Sequence, residues 1–287
     1  MKWEGHRESD RVDDLRGSSG GPRVGRRGVG LGGIVIALLA GWIFGINPMT
    51  VLGLMGGGTG VPTEAHAPAA PPATDPATRF TRVVLADTED VWGAYFAQRQ
   101  QRFEPPRLVL FRDPVPTACG LGESAMGPFY CPGDHKVYLD LGFFDTLSQQ
   151  LGAPGDFAAA YVIAHEVGHH LQNLLGLSAK VQQARQRVGR AEGNVLSVKL
   201  ELQADCFAGV WAHHSQKGKG WLDASDIQAA LNAASRIGDD VLQKAARGTV
   251  VPESFTHGSA AQRQRWFQTG LNKGTLEACD TFAARSI

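Results

Sequence analysis

A chain of 287 residues, 43% hydrophobic and 20% charged, is long enough to bury one good-sized core and still carry appendages. Lys+Arg and Asp+Glu balance at 28 each, so no overall field draws the chain to polyanions, and nucleic acid is excluded as a leading partner.

Residues 1–27 are charged, contain several glycines and carry almost no large apolar side chains. Composition of that kind predicts a disordered tail. Residues 28–46 then hold no charge at all. Nineteen helical residues cover about 28 Å, close to the hydrocarbon thickness of a bilayer, so this stretch is expected to be a transmembrane helix with the lipid bilayer as its partner. Arg23, Arg26 and Arg27 precede it, and the segment behind it, residues 47–63, has no Lys or Arg. The positive-inside bias therefore predicts a single-pass cell-membrane protein with a cytoplasmic N-terminus and everything that follows outside. The competing reading, a cleaved signal peptide, places its small-x-small site at Ala65-His66-Ala67, well past the apolar run. Residues 47–79, rich in Gly, Pro and Ala, read as a semi-extended tether. Residues 80–287 are left as the globular domain.

Within that domain, Val83, Val84, Val91, Trp92, Tyr95 and Phe96 recur at helical spacing. The apolar run 107–111, closed by Asp113-Pro114, and the run 136–141 read as strands. The second of them is a candidate edge strand for an extended peptide. Cys119 and Cys131 sit in the Gly- and Pro-containing loop between these strands, and Cys206 and Cys279 complete an even count. Outside the cytoplasm, where disulfides persist, the simplest connectivity is Cys119 to Cys131 and Cys206 to Cys279.

Helices dominate from residue 146 onward. Residues 160–172 contain His165-Glu166-x-x-His169 inside an apolar run, with Asp156 a possible cap and Gly176 the break. Helical residues four apart lie about 40° apart around the axis, so His165 and His169 point the same way and can hold one zinc ion. Glu166 flanks the same cleft and is the candidate general base. A polar helix follows at 178–188, and residues 189–194 are expected to loosen the chain. The next helix, 198–211, is apolar around most of its circumference yet carries Glu201 and Asp205 one turn apart. Zinc bound by two histidines needs a third protein ligand, which Glu201 would supply while Asp205 accepts the free ring N–H of a ligand histidine. The converse assignment stays open. Asp226, Asp239 and Asp240 read as caps or solvated faces of two further helices. Ser259 and Gln262 form a capping box ahead of a last helix. His257, in the turn before it and close in sequence to Arg263, could donate to the oxyanion of a tetrahedral intermediate. His135, His170, His213 and His214 read as structural or exposed.

Taken together, the segments 119–132, 137–140, 165–170, 201–206, 238–240 and 254–258 resemble the neutral zinc metallopeptidase family of single-span bacterial proteins, and the likeness covers nearly the whole chain. More remotely the chain is similar to the gluzincins, whose Glu-x-x-x-Asp helix corresponds to Glu201 and Asp205. The prenyl-protein endopeptidases among them carry a Thr-His-Pro turn followed by Arg, which corresponds to Thr256-His257-Gly258 and Arg263. The resemblance implies an α+β, mainly helical zincin-like domain with a small sheet, a Zn2+ cofactor, a peptide or protein substrate, and hydrolysis of peptide bonds as a zinc metalloendopeptidase. A reading of another class is a membrane-tethered binding module whose zinc is structural or idle. The intact Glu166 argues against it, since a structural site needs no base. Oligomeric state is not legible in the sequence.

Overall fold

The computed structural model describes residues 1–16, 75–123 and 127–284. The expected span at 28–46 and most of the tether lie outside these residues. Among the described residues, no helix is long and apolar enough to cross a membrane.

A four-stranded sheet has the order β1 (Val12–Asp14), β2 (Arg107–Phe111), β6 (Lys136–Asp140), β5 (Phe129–Cys131). The first three strands are parallel, and β5 runs antiparallel to β6. A hairpin of β3 (Val115–Thr117) and β4 (Gly120–Gly122) lies apart from it. Strand β2 is apolar on both faces because both are covered: Leu108 and Leu110 face the main core, while Val109 and Phe111 join a smaller cluster with Val115, Cys131 and Tyr138. Cys119 and Cys131 are joined, tying the hairpin to β5, and Cys206 is joined to Cys279, both as expected.

Among the described residues the longer helices are α1 (Pro76–Ala97), α2 (Asp156–Leu174), α3 (Leu177–Arg185), α4 (Arg190–Lys219), α5 (Ala224–Arg236), α6 (Asp239–Arg247) and α7 (Ala260–Lys273), with short helical turns at Gly142–Asp145, Thr146–Gln150, Pro252–Ser254 and Leu276–Cys279. The fold class is thus α+β and mainly helical. The centre of the domain is the packing of α2, α4 and α7. At the crossing of α4 and α7 the backbones touch: a Cβ on Gly209 would stand 2.1 Å from the Phe267 carbonyl oxygen, and one on Gly270 would stand 1.9 Å from that of Cys206. Gly168 does the same for α2, where a Cβ would come within 3.0 Å of the Ala204 carbonyl. Only glycine lets these axes approach so closely, and that approach brings side chains of three helices to one point.

Several expectations are corrected. Residues 1–16 are not a disordered tail: β1 pairs with β2, Trp3 packs edge-on against Phe80 at 5.5 Å, and Arg7 reaches Glu89 and Asp90 at 2.8 Å each. Their few apolar residues, too sparse to make a core of their own, instead dock on one made by the rest of the chain. The tether ends earlier than residue 79, because Asp75 caps α1 and Pro76 occupies its first turn, where a missing N–H costs nothing. Residues 189–194 do not loosen the chain, since α4 already starts at Arg190 behind Gly189. Asp156 caps nothing: Gly155 occupies that position, and the Asp156 carboxylate accepts from Trp3 Nε1 at 3.0 Å. Finally β6, the expected edge strand, lies inside the sheet, and the edge beside α2 is β5.

Candidate metal centre

His165 and His169 project from α2, and Glu201 from α4, so that their ligand atoms all lie within 4.8 Å of one another. Glu201 Oε2 is 3.2 Å from His165 Nε2 and 3.5 Å from His169 Nε2. Two ligands of a tetrahedral zinc, each at 2.0–2.1 Å, are about 3.4 Å apart. The donor set and the two separations from Glu201 therefore fit zinc.

The ring nitrogens turned away from this point are both engaged. His165 Nδ1 is 2.8 Å from Asp205 Oδ1, and His169 Nδ1 is 2.9 Å from Gln172 Oε1. Each acceptor favours the tautomer with its proton on Nδ1 and the Nε2 lone pair free for a cation. Gln172 is itself fixed, donating through Nε2 to the Leu200 carbonyl at 2.6 Å and to Gln203 Oε1 at 3.1 Å. Asp205 is fully buried and accepts from Arg263 Nε and Arg263 Nη2 at 2.9 Å each, and from the Tyr161 hydroxyl. Asp205 is engaged by these donors on the far side of His165, whereas Glu201 reaches the Nε2 atoms of both histidines, so Glu201 is the ligand that fits. Arg263 serves Asp205, not His257.

Charge is arranged for a cation. Burial opposes ionisation throughout, yet the neighbouring histidines hold Glu201 well below the usual carboxylate range. Burial likewise works against charge on His169, but Glu201 outweighs it and its pKa is pushed up to about 9. Burial is outweighed again at Asp205, where Arg263 and His165 bring the carboxyl down to about 2. Glu166 behaves in the opposite way: burial raises its pKa against the pull of both histidines, as suits a group that must take up a proton.

These residues floor a cleft of about 810 Å3. Phe129 and Tyr130 of β5, with Phe143, Leu151, Val162 and Leu242, make its walls apolar. His257 also lines it, half exposed, with Nδ1 3.3 Å from Asp239 Oδ1. Asp239 Oδ2 accepts from three successive backbone N–H groups, those of Thr256 and His257 at 2.7 Å and of Gly258 at 3.0 Å. Asp239 thus holds the whole turn in place; the reading of it as a helix cap or solvated residue missed this. Desolvation by the cleft walls around its inner side works against charge on His257, but Asp239 and Glu201 more than offset it, so the imidazole is more basic than usual. His170 faces away from the metal point: its Nδ1 lies 3.0 Å from the Tyr130 hydroxyl and its Nε2 2.6 Å from the Glu104 carbonyl. With Asn173, which donates to the same hydroxyl at 3.1 Å, it pins β5 to α2. His213 and His214 bond the carbonyls of Leu271 and Gly274, a structural role as expected.

The structural role of His170 agrees with the sequence reading, which missed its partners Tyr130 and Asn173 and the parts played by Asp239, Tyr161 and Gln172. The segment 238–240 was among those carrying the family resemblance, which was the available signal for Asp239.

Two imidazoles and a carboxylate with zinc spacing, beside a buried Glu in a cleft, define a site of the zinc-peptidase kind. The chain belongs to the family described as "Putative neutral zinc metallopeptidase", which it matches over residues 1–282. It is 49% identical over 291 residues to the uncharacterized protein YpfJ of Escherichia coli (strain K12), covering 98% of this chain and 99% of that one. It is also 43% identical over 221 residues to an uncharacterized protein of Mycobacterium tuberculosis (strain ATCC 25618 / H37Rv), covering 74% of each chain. No solved structure matches it.

Proposed function

We propose that the protein is a zinc-dependent peptidase in which His165, His169 and Glu201 hold the metal and Glu166 is the general base. The observation that carries this reading is the position of Glu201 Oε2, 3.2 and 3.5 Å from the two Nε2 atoms. Zinc bound there would supply Lewis-acid activation of water and of the scissile carbonyl. Glu166, buried and adjacent to the ligands, takes the proton from the attacking water and returns it to the leaving amine. His257, basic and held by Asp239, donates to the developing oxyanion. Arg263 and Tyr161 keep Asp205 in place, and Asp205 keeps His165 in its ligating tautomer.

The substrate is a peptide in extended form. Among the described residues, strand β5 is paired on one side only, by β6, and its Phe129 and Tyr130 line the cleft. Backbone pairing with that open edge would lay a peptide past the metal point. A structure with a bound peptide inhibitor should show it alongside residues 129–131; an inhibitor on the opposite wall would remove this part of the proposal.

The test of the reaction compares wild-type protein with Glu166→Gln for zinc content and for cleavage of unfolded casein. Equal zinc and lost cleavage are expected. Equal cleavage by both would mean the wrong base or a contaminating protease.

A further inference from the structure

The parallel pairing of β1 with β2 constrains the chain as a whole. Between Asp14, at the end of β1, and Asp75, the cap of α1, lies the uncharged stretch 28–46. If that stretch crossed a bilayer once, residues 1–16 and the domain would be separated by the roughly 30 Å of its hydrocarbon. Paired strands lie only about 5 Å apart. The two arrangements cannot hold in one molecule at the same time.

The docking of residues 1–16 is extensive and specific. At its start, Trp3 Nε1 donates to Asp156 at the beginning of α2, and Arg7 donates to the Ala86 carbonyl at 2.7 Å as well as to its two carboxylates on α1. Glu89, whose side chain is 11% exposed, accepts from both Arg7 and Ser9. At its end, Arg107 of β2 pairs with Asp13, and Val12 is buried in the main core. Arg16 meets Asp75 at 2.9 Å, so the last residue before the undescribed segment and the first one after it are in contact. Undocking would expose the edge of β2 and leave the partly buried Glu89 of α1 without Arg7 and Ser9.

We propose that residues 1–16 and the zinc domain occupy the same side of any membrane the chain meets, with the N-terminal strand as a constitutive part of the domain. The single-pass orientation expected from the arginine bias, with the N-terminus cytoplasmic and the domain outside, is then replaced by one in which both flanks of residues 28–46 share a compartment. The inference stands independently of the peptidase reading, because it uses no residue of the metal centre.

Substituted-cysteine labelling of the full-length chain in bacterial cells tests it. All four native cysteines are in disulfides, so the wild-type chain supplies the background. Glu4→Cys reports on the N-terminal segment and Lys244→Cys on the domain, both at exposed positions. Lys2→Cys and Lys217→Cys, also exposed, repeat the pair in case one variant accumulates poorly. Each is treated with a membrane-impermeant maleimide before or after lysis of spheroplasts. The proposal expects the two segments to agree, either both labelled before lysis or both only after it. Labelling of one segment in intact spheroplasts and of the other only after lysis would overturn it.

Discussion

Replacing Asp205 by Asn removes one charge and almost no volume from the centre of the domain. Asp205 is fully buried, and it accepts from Arg263 twice, from His165 and from the Tyr161 hydroxyl. An amide has one acceptor oxygen and presents its NH2 to the remaining donors. The Arg263 guanidinium, 3% exposed, loses its counter-charge. Breaking a buried pair from one side costs about 3–5 kcal/mol, a large part of the roughly 5–15 kcal/mol that holds a domain folded. Zinc affinity should fall by about 10- to 100-fold as well, because His165 loses the acceptor that fixes its tautomer. Urea unfolding of the metal-free protein and zinc competition with a chromogenic chelator read the two effects separately. The double variant Asp205→Asn/Arg263→Met removes the unpaired cation, so it should recover much of the stability and little of the zinc affinity. A single variant within about 1 kcal/mol of wild type that also binds zinc equally well would refute the argument.

Three other outcomes are expected. Gly209→Ala forces a Cβ to within 2.1 Å of the Phe267 carbonyl and should cost about 3 kcal/mol or more; Gly218→Ala in the same helix meets nothing within 4 Å and should be neutral or stabilise by up to about 1 kcal/mol, both read by thermal unfolding. Asp239→Ala, which frees the Thr256–Gly258 turn, should lower kcat with zinc content unchanged, and combining it with His257→Ala should add little; full additivity in kcat would separate the two residues. Since the His169 pKa is raised to about 9, zinc uptake at pH 7 to 8 should displace a proton from it, so affinity should rise with pH in that range. Titration calorimetry in buffers of different ionisation enthalpy detects that proton, and heats independent of buffer would contradict the assigned protonation.

The metal centre was legible because its residues carry their own spacing. His165, Glu166 and His169 lie within one turn and a half of helix, and Glu201 and Asp205 stand out as carboxylates among Leu200, Leu202 and Phe207. The choice between Glu201 and Asp205 turned on which carboxylate Arg263 and Tyr161 engage, contacts spanning 58 and 44 residues of sequence respectively. The role of Asp239 was hidden for a related reason: an Asp at the start of a helix looks like a cap, and its bonds to a turn 17 to 19 residues later leave no local pattern. The N-terminal strand was misread because composition measures whether a segment can form its own core. Val12 and Trp3 needed only a place in a core formed elsewhere. The edge strand was misplaced because the run at 136–141 stands just before the metal helix in sequence, whereas the three residues of β5, 129–131, carry too little periodicity to register as a strand.

The central claim is a coordination sphere of two imidazoles and the Glu201 carboxylate, and zinc-edge X-ray absorption of the metal-loaded protein tests it most directly. Wild-type protein should bind one zinc with nitrogen and oxygen neighbours at about 2.0–2.2 Å, two of them imidazole, and no sulfur. Glu201→Ala should lose the metal or show an altered first shell, whereas an unchanged spectrum at full zinc occupancy in that variant would contradict the account.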